Sequence, residues 1–404
     1  MKIAIIGGGA AGFFSAISVK ENYPDAQVLI YEKTQKVLSK VKISGGGRCN
    51  LTNGCDSISE LCNAYPRGGK SLKRAFHVFS NKDTMRWFES RGIPLVIQND
   101  NCVFPFSQDS QSIIECFLRE SKKLKIEIKT GMGIKAIHPK NDFLELEFIH
   151  EDIAPEIFDK IIVTTGGSPK RDGLNWLEKL NHKIENPVPS LFTFKMSAEP
   201  ITQLMGVVVE NTQVSIQGTK IKSDGPLLIT HWGMSGPAIL KLSSLGAREL
   251  NSMDYHFKIQ VNWANEQNNE IVITDLNHII EAHPNKIVSN IRPYGLSERL
   301  WIFLLEKIEI PANKKWNELG KKGLNKLTEV LTNDIYTVNG KSTYKEEFVT
   351  CGGVSLQSID LNTMQSKTCK NVYFAGEVLD IDAITGGFNL QAAWTTGFIA
   401  GKLA

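Results

Sequence analysis

At 404 residues the chain can hold about two to three domains and a large core. Its 42% hydrophobic and 22% charged content is that of an ordinary folded globular chain, which excludes a disordered or fibrous protein. A net charge of +3 is too small to argue for nucleic acid, and no run of about 18 apolar residues predicts a membrane span.

The first predicted element is a short apolar strand, Ile3 to Ile6, with the composition of a buried parallel strand. Its glycines, and a flank with no cation beyond Lys2, argue for a first strand rather than a signal peptide. Gly7, Gly9 and Gly12 follow in the spacing G-x-G-x-x-G. The first glycine permits the tight turn, the second lets backbone approach a pyrophosphate, and the third lets the next helix pack closely. That helix, from Ala10 and Ala11 to about Glu21, aims its amide-rich end at the phosphates. A second strand, Gln27 to Tyr31, ends at Glu32, whose carboxylate suits ribose hydroxyls and would repel a 2′-phosphate. The motif by itself leaves FAD and NAD open.

A helical stretch ends near Ile43 and gives way to Ser44-Gly45-Gly46-Gly47-Arg48-Cys49-Asn50. Consecutive glycine amides can form an anion nest, and Arg48 adds a planar cation for phosphate or a flavin carbonyl. The competing reading is a flexible loop with a surface arginine. Lys33 beside Glu32, and Lys40 before the glycine loop, join the candidate cofactor contacts. Ser71 and Asn81 read as N-caps of two consecutive helices, with Gly92 stopping the second. The basic stretches Arg67 to Arg91 and Lys314 to Lys326 read as solvated helix faces.

A helix over about Ser110 to Lys123 leads into the strand Ile126 to Lys129. Alternating runs at Ile134 to Ile137 and Phe143 to Ile149 then predict a small antiparallel meander. The strand Lys160 to Thr164 runs into Thr165-Gly166-Gly167, where a two-part FAD domain brings its chain back over the nucleotide. Composition changes near Pro187 to Pro189. Short alternating segments then predict a β-rich unit to about Thr274, and a helical pattern runs from Leu276 to about Leu331. The α/β pattern resumes near Val349. The expected division is 1–190 with 345–404 as cofactor domain, 191–275 as β-rich insert and 276–344 as helical insert.

The last segment narrows the cofactor. Val372 to Ala375 reads as a strand closed by Gly376-Glu377, whose carboxylate can hold a polyhydroxyl chain such as the ribityl of FAD. Gly386-Gly387 opens a helix from Phe388 and Asn389 to about Lys402, with small residues suited to packing on a neighbouring sheet. Its N-terminus would face the flavin pyrimidine edge and stabilise the charge gained at N1 on reduction. A plain NAD dehydrogenase needs no such second site, so the two ends together point to FAD. The seven cysteines show no C-x-x-C pair and no histidine cluster completes a zinc site, so no metal is expected. An odd cysteine count suits a reducing cytoplasm.

These motifs resemble a family of bacterial NAD(P)/FAD-dependent oxidoreductases, also described as aminoacetone-oxidase-like, with a branch similar to bile-acid enone reductases. The resemblance rests on Gly7 to Gly12, Ser44 to Asn53, Val103-Phe104-Pro105, Thr230 to Ala238, Thr350 to Val354 and Gly376 to Gln391. It implies an α/β fold: a Rossmann-like two-part FAD-binding domain with an inserted β-barrel-like unit and a small helical unit. It also implies an adenine contact from backbone near Ile134. The chain departs from the pattern at Asn101-Cys102, where Gly-Arg is expected, and at Leu38, Ala383 and Phe388. The first departure bears on substrate contacts.

The resulting expectation is a cytoplasmic FAD-dependent oxidoreductase. It would take electrons from NADH or NADPH, bound transiently because no second complete fingerprint exists. It would reduce a small, electron-poor, enone-like substrate between the FAD domain and the insert. The alternatives are a flavin oxidase of a small amine and a flavoprotein acting on tRNA. No catalytic acid or base is assigned. The two nearest candidates are His231 and Cys49: His231 reads as a turn histidine, and Cys49 as packing unless Arg48 lowers its pKa. Nothing in the sequence sets an oligomeric state.

Overall fold

The computed structural model describes residues 1–342 and 349–404, so the domain boundary expected at 344/345 lies outside the described residues. The chain forms two compact units, Met1–Ser190 with Tyr344–Ala404, and Leu191–Thr343.

The first unit is built on a parallel sheet. β1 (Lys2–Ile6) lies between β2 (Gln27–Glu32) and the strand Lys160–Val163. Glu127–Thr130 pairs with β2 and Val372–Phe374 with Lys160–Val163, all parallel. Two short antiparallel strands, Ile359–Asp360 and Gln365–Ser366, finish one edge. Ile3, Ala4, Ile5, Val28, Leu29 and Ile30 are buried, as expected of strands covered on both faces. α1 (Ala10–Asn22) follows β1, and the predicted meander forms as Ile134–Lys140, Phe143–Phe148 and Glu156–Phe158.

The C-terminal helix, Phe388–Ala400, packs chiefly on α1 and more lightly on the sheet strand Val372–Phe374. A Cβ at Gly397 would sit 3.0 Å from the Ala11 carbonyl oxygen, and one at Gly401 would sit 2.5 Å from Ser18 Cβ. The Ser18 hydroxyl donates to the Phe398 carbonyl at 2.8 Å. The small residues therefore serve a helix–helix contact that joins the two ends of the chain.

Three local readings shift. The helix expected at Ser71 is Gly69–Val78, entered through Gly68. The next helix, Asn81–Glu89, is capped by Ser80, which accepts from the Asp83 amide while the Asp83 carboxylate accepts from the Ser80 amide. Asn81 is instead buried, donating to the Asn53 and Cys55 carbonyls. The composition change near Pro187 to Pro189 is not a break in regular structure. These residues lie in the strand Ile184–Ser190, which pairs antiparallel with Val349–Val354 across a bulge after Glu185 that accommodates proline.

The second unit is a closed barrel with helices on one core. Its sheet runs from Asp334–Asn339 through His256–Asn262, Val208–Ile216, Lys222–Thr230, Gly233–Ser235 and Thr193–Lys195 to Lys341–Ser342. The first and last of these are one stretch of chain turning at Gly340. Its first half pairs with His256–Asn262 and its second with Thr193–Lys195, which closes the sheet. The helical residues expected as a separate domain share this unit's core: Leu276, Trp301, Trp316 and Leu331 are buried in one cluster with Val214, Ile259 and Tyr336. The reason is connectivity, because the helices lie between two barrel strands. Asp334 binds them together, accepting from Trp263 Nε1 at 2.9 Å and from Lys307 Nζ at 2.5 Å. Among the described residues no helix is long and apolar enough to cross a membrane.

Candidate cofactor and active site

In the first unit the carboxyl ends of five parallel strands form one edge, where α/β sheets bind ligands. Across the strand order, that edge carries Gly376 and Glu377, then Thr165 to Gly167, then Gly7 to Gly12, then Glu32, then the turn into Ile134.

The fingerprint turn is held against the neighbouring strand. Thr164 Oγ1 donates to the carbonyls of Ile6 and Gly7, each at 3.0 Å. A Cβ at Gly7 would lie 2.4 Å from the Thr164 carbonyl oxygen, and one at Gly12 would lie 2.0 Å from the Gly7 carbonyl oxygen. Gly9 differs: it is the N-cap of α1, a Cβ there meets nothing within 4 Å, and no side chain caps the helix. Ala10 and Ala11 open α1 beneath that space, with helix N–H groups facing it.

Glu32 accepts from the Gly8 amide at 2.9 Å and from the Thr34 amide at 2.8 Å, which fixes its carboxylate at the mouth of the fingerprint. The chain returns to it before the meander, where the Met132 amide donates to the Glu32 carbonyl at 2.8 Å, two residues before Ile134. Lys33 is exposed there.

At the other end of the edge, Glu377 accepts from Lys40 Nζ at 2.8 Å and from the Thr350 amide at 2.9 Å. A Cβ at Gly167 would lie 2.7 Å from both Glu377 Oε1 and Thr350 Oγ1. That Thr350 hydroxyl is buried and has no hydrogen-bond partner among the described residues. Gly376 takes φ +78° and lies so close to the fingerprint helix that a Cβ would sit 2.7 Å from Ala11 Cβ.

The glycine loop after Ser44 is more committed to itself than its sequence suggests. Gly45 and Gly46 are left-handed, but the amides of Gly47, Arg48 and Cys49 donate to Ile43, Gly45 and Ser44 carbonyls. The nest is therefore narrower than expected. Arg48 is fixed, with its guanidinium 4.2 Å from the Phe104 ring centroid and an N–H on Gln108 at 3.3 Å. Asn50, with its amide oriented to satisfy both partners, accepts from the Gly387 amide at 3.2 Å and donates to the Thr52 carbonyl at 3.0 Å. It thus ties the glycine loop to the start of the C-terminal helix.

That helix start has Gly387 as N-cap, at φ +86°, and no side-chain cap. Since the Gly387 amide meets Asn50, the amides left to face a ligand belong to the first turn, from Phe388 onward. The Phe388 ring is buried against Tyr65, and Tyr65 Oη donates to the Phe388 carbonyl at 2.6 Å. Asn389 spends its side chain on Ala383, accepting from the amide at 3.0 Å and donating to the carbonyl at 3.1 Å. Phe388 and Asn389 can therefore offer backbone rather than side chain.

Cys49 lies in the glycine loop and His231 in the second unit. Cys49 is fully buried, and burial pushes its thiol up to about 12, with a Ser44 hydrogen bond opposing. Arg48 does not activate it. His231 is exposed in the second unit, edge-on to Trp232. Thr164 and Thr350 carry the site's local structure and were not among the site residues expected from sequence. Thr164 and Thr350 had a usable signal, a hydroxyl flanking a strand-ending Gly-Gly or Cys-Gly-Gly.

The arrangement fits FAD: open space at an uncapped helix start for a pyrophosphate, an acid at each end for hydroxyl groups, and an orphan buried hydroxyl between strands. A family description, the HI0933-like protein Rossmann domain, matches residues 1–403. The chain belongs to the HI0933-like family. This HI0933-like chain is 27% identical over 416 residues to a 3-dehydro-bile acid delta(4,6)-reductase of Clostridium scindens, covering 100% of this chain and 98% of that one. It is 28% identical over 413 residues to a ribosomal RNA dihydrouridine synthase of Escherichia coli, covering 98% and 95%. Among solved structures, a 3-ketosteroid-delta4-(5alpha)-dehydrogenase of Rhodococcus jostii RHA1 matches with TM-score 0.51 at 10% identity, over 99% of this chain and 96% of that one. At that identity the likeness is one of fold. As a member of this family the chain is an FAD-dependent oxidoreductase.

Proposed function

We propose that the chain reduces a carbon–carbon double bond conjugated to a carbonyl in a small electron-poor substrate, with NADH or NADPH as the transient electron donor. The observation that carries the FAD site is the order of groups along the sheet edge. From Glu377 through Gly167 and Gly9 to Glu32 and Ile134, it follows a dinucleotide from ribityl to adenine. Glu32 would hold the adenosine ribose and the start of α1 the pyrophosphate. Glu377, kept in place by Lys40 and Thr350, would hold the ribityl hydroxyls. The amides from Phe388 onward would present a partial positive charge to the pyrimidine edge. FAD, when bound, would supply hydride transfer.

The two named relatives support the substrate class. A bile-acid delta(4,6)-reductase and a dihydrouridine synthase both saturate a carbon–carbon double bond conjugated to a carbonyl. The test is anaerobic mixing with NADH or NADPH, followed by a panel of enones. We expect one nucleotide to bleach the flavin and an enone to restore its colour with a saturated product. No bleaching by either nucleotide would contradict the donor. Amine-dependent peroxide formation would favour the oxidase reading.

A second reading, in which the double bond belongs to a base in RNA, is favoured by one surface feature. On the helix Gly69–Val78, the exposed Lys70, Lys73, Arg74 and His77 form a single stripe at helical spacing, and the helix carries no acid. Among the described residues none of the four has an ion-pair partner. In the helix that follows, by contrast, Arg86 pairs with Asp83, and Arg91 just beyond it pairs with Glu21. An unpaired cationic stripe suits a phosphate backbone.

A further inference from the structure

The first turn of the C-terminal helix has donors to spare. Among the described residues the amides of Phe388, Asn389 and Leu390 donate to no protein group, whereas the Gln391 amide closes on the Gly387 carbonyl at 3.1 Å. The helix also meets the sheet edge that carries the site. The Gly376 amide donates to Thr396 Oγ1 at 2.9 Å. A Cβ on Gly376 would sit 2.7 Å from Ala11 Cβ on one side and 3.9 Å from Ala393 Cβ on the other. About one helical turn separates Ala393 from Asn389, so the unpaired amides open near the Glu377 end of that edge.

Behind this turn stands Tyr65, which is buried and whose Oη donates to the Phe388 carbonyl at 2.6 Å. Its ring packs against Phe76, at 5.3 Å between centroids, and against Phe388, at 6.2 Å. Its backbone is anchored too. The Tyr65 amide donates to the Cys62 carbonyl at 3.2 Å, and the neighbouring Ala64 carbonyl accepts from the Ile384 amide at 2.9 Å. Burial pushes the phenol well up, with a backbone hydrogen bond from Ala392 opposing, so the hydroxyl stays protonated. In an α-helix the Phe388 carbonyl has its regular partner four residues on, in the Ala392 amide. The phenol is a second donor to the same oxygen, and the helix does not need it. What it changes is one peptide unit. The Phe388 carbonyl and the Asn389 N–H belong to one conjugated planar amide, and a donor at the oxygen makes the N–H a stronger donor in turn.

We infer that Tyr65 is a positioning residue for the flavin end of the site: through the Phe388–Asn389 peptide it strengthens the Asn389 amide as a donor to the pyrimidine edge. This rests on the FAD site proposed above. The reduced cofactor carries more negative charge at that edge, so a stronger donor there favours it over the oxidised form. Tyr65 does this without touching the cofactor and without placing a charge in the core.

The test is the midpoint potential of the FAD-bound protein for Tyr65→Phe, which keeps the ring and leaves the Phe388 carbonyl to the Ala392 amide. Reduced FAD should lose roughly three-fold more affinity than oxidised FAD, a fall of about 14 mV for a two-electron couple. A potential that stays at the parent value, or rises, would overturn the inference. Fluorotyrosine placed at position 65 has a more acidic phenol, donates more strongly and should raise the potential instead. No change, or a fall, in that protein would also overturn the inference. This second arm decides the matter should Tyr65→Phe fail to fold or to hold FAD. A ring that merely packs would give no such pair of opposite shifts. A parent protein that holds no FAD defeats the cofactor reading itself, whereas normal FAD binding with unmoved potentials defeats only this inference.

Discussion

Gly9 and Gly12 share one motif and do different things. Gly12 has no room for a methyl group, being 2.0 Å from the Gly7 carbonyl oxygen by Cβ position, whereas Gly9 has open space. Gly12→Ala should therefore damage the fold, by about 1–3 kcal/mol as an overpacked substitution does, and lose FAD with it. Gly9→Ala should leave the melting temperature of the FAD-free protein unchanged and weaken FAD at least about ten-fold, equivalent to about 1.4 kcal/mol. Thermal melts with FAD titration separate the two. A Gly9→Ala protein that binds FAD as tightly as the parent would contradict the pyrophosphate position. At this scale the glycines were legible because their spacing is local and their reason is steric. The commitments of Arg48 to Phe104 and Gln108, and of Asn389 to Ala383, were not. Each depends on a partner that only packing or turn geometry brings into range, and no local pattern encodes it.

At the scale of elements, periodicity found the strands and helices of the first unit, and packing decided what they met. The small residues of the C-terminal helix were readable as a close-packing face. That the face meets α1 depends on strand order, which brings both chain ends to the same side of the sheet. Helix starts were misread by three residues at Ser71, where Gly68 is the N-cap, and by one at Asn81, where two capping candidates stood together: Ser80 wins because its side chain and the Asp83 carboxylate close a reciprocal pair. The helix Gly69–Val78 bears on the RNA reading. If RNA is the substrate, Lys73→Glu with Arg74→Glu should weaken total-RNA binding in a gel shift at physiological salt. It should also flatten the salt dependence by roughly one unit of slope for each phosphate no longer neutralised. No shift with the parent protein would remove that reading.

For the whole molecule, the sequence exposed an insertion because the α/β pattern stops near Pro187 and resumes near Val349. It did not expose that the β-rich and helical parts share one core. The strand that closes the barrel, Asp334–Ser342, comes after the helices, and only pairing reveals that it belongs with strands far earlier in the chain, such as Thr193–Lys195. The proposed FAD site was legible in the sequence as two ends, and both ends lie on the edge of one parallel sheet. The most direct test of that alignment is the absorbance spectrum of the purified protein, with release and identification of whatever cofactor it carries. The account predicts a flavin spectrum and FAD as the released molecule. FMN, NAD or no chromophore would contradict it.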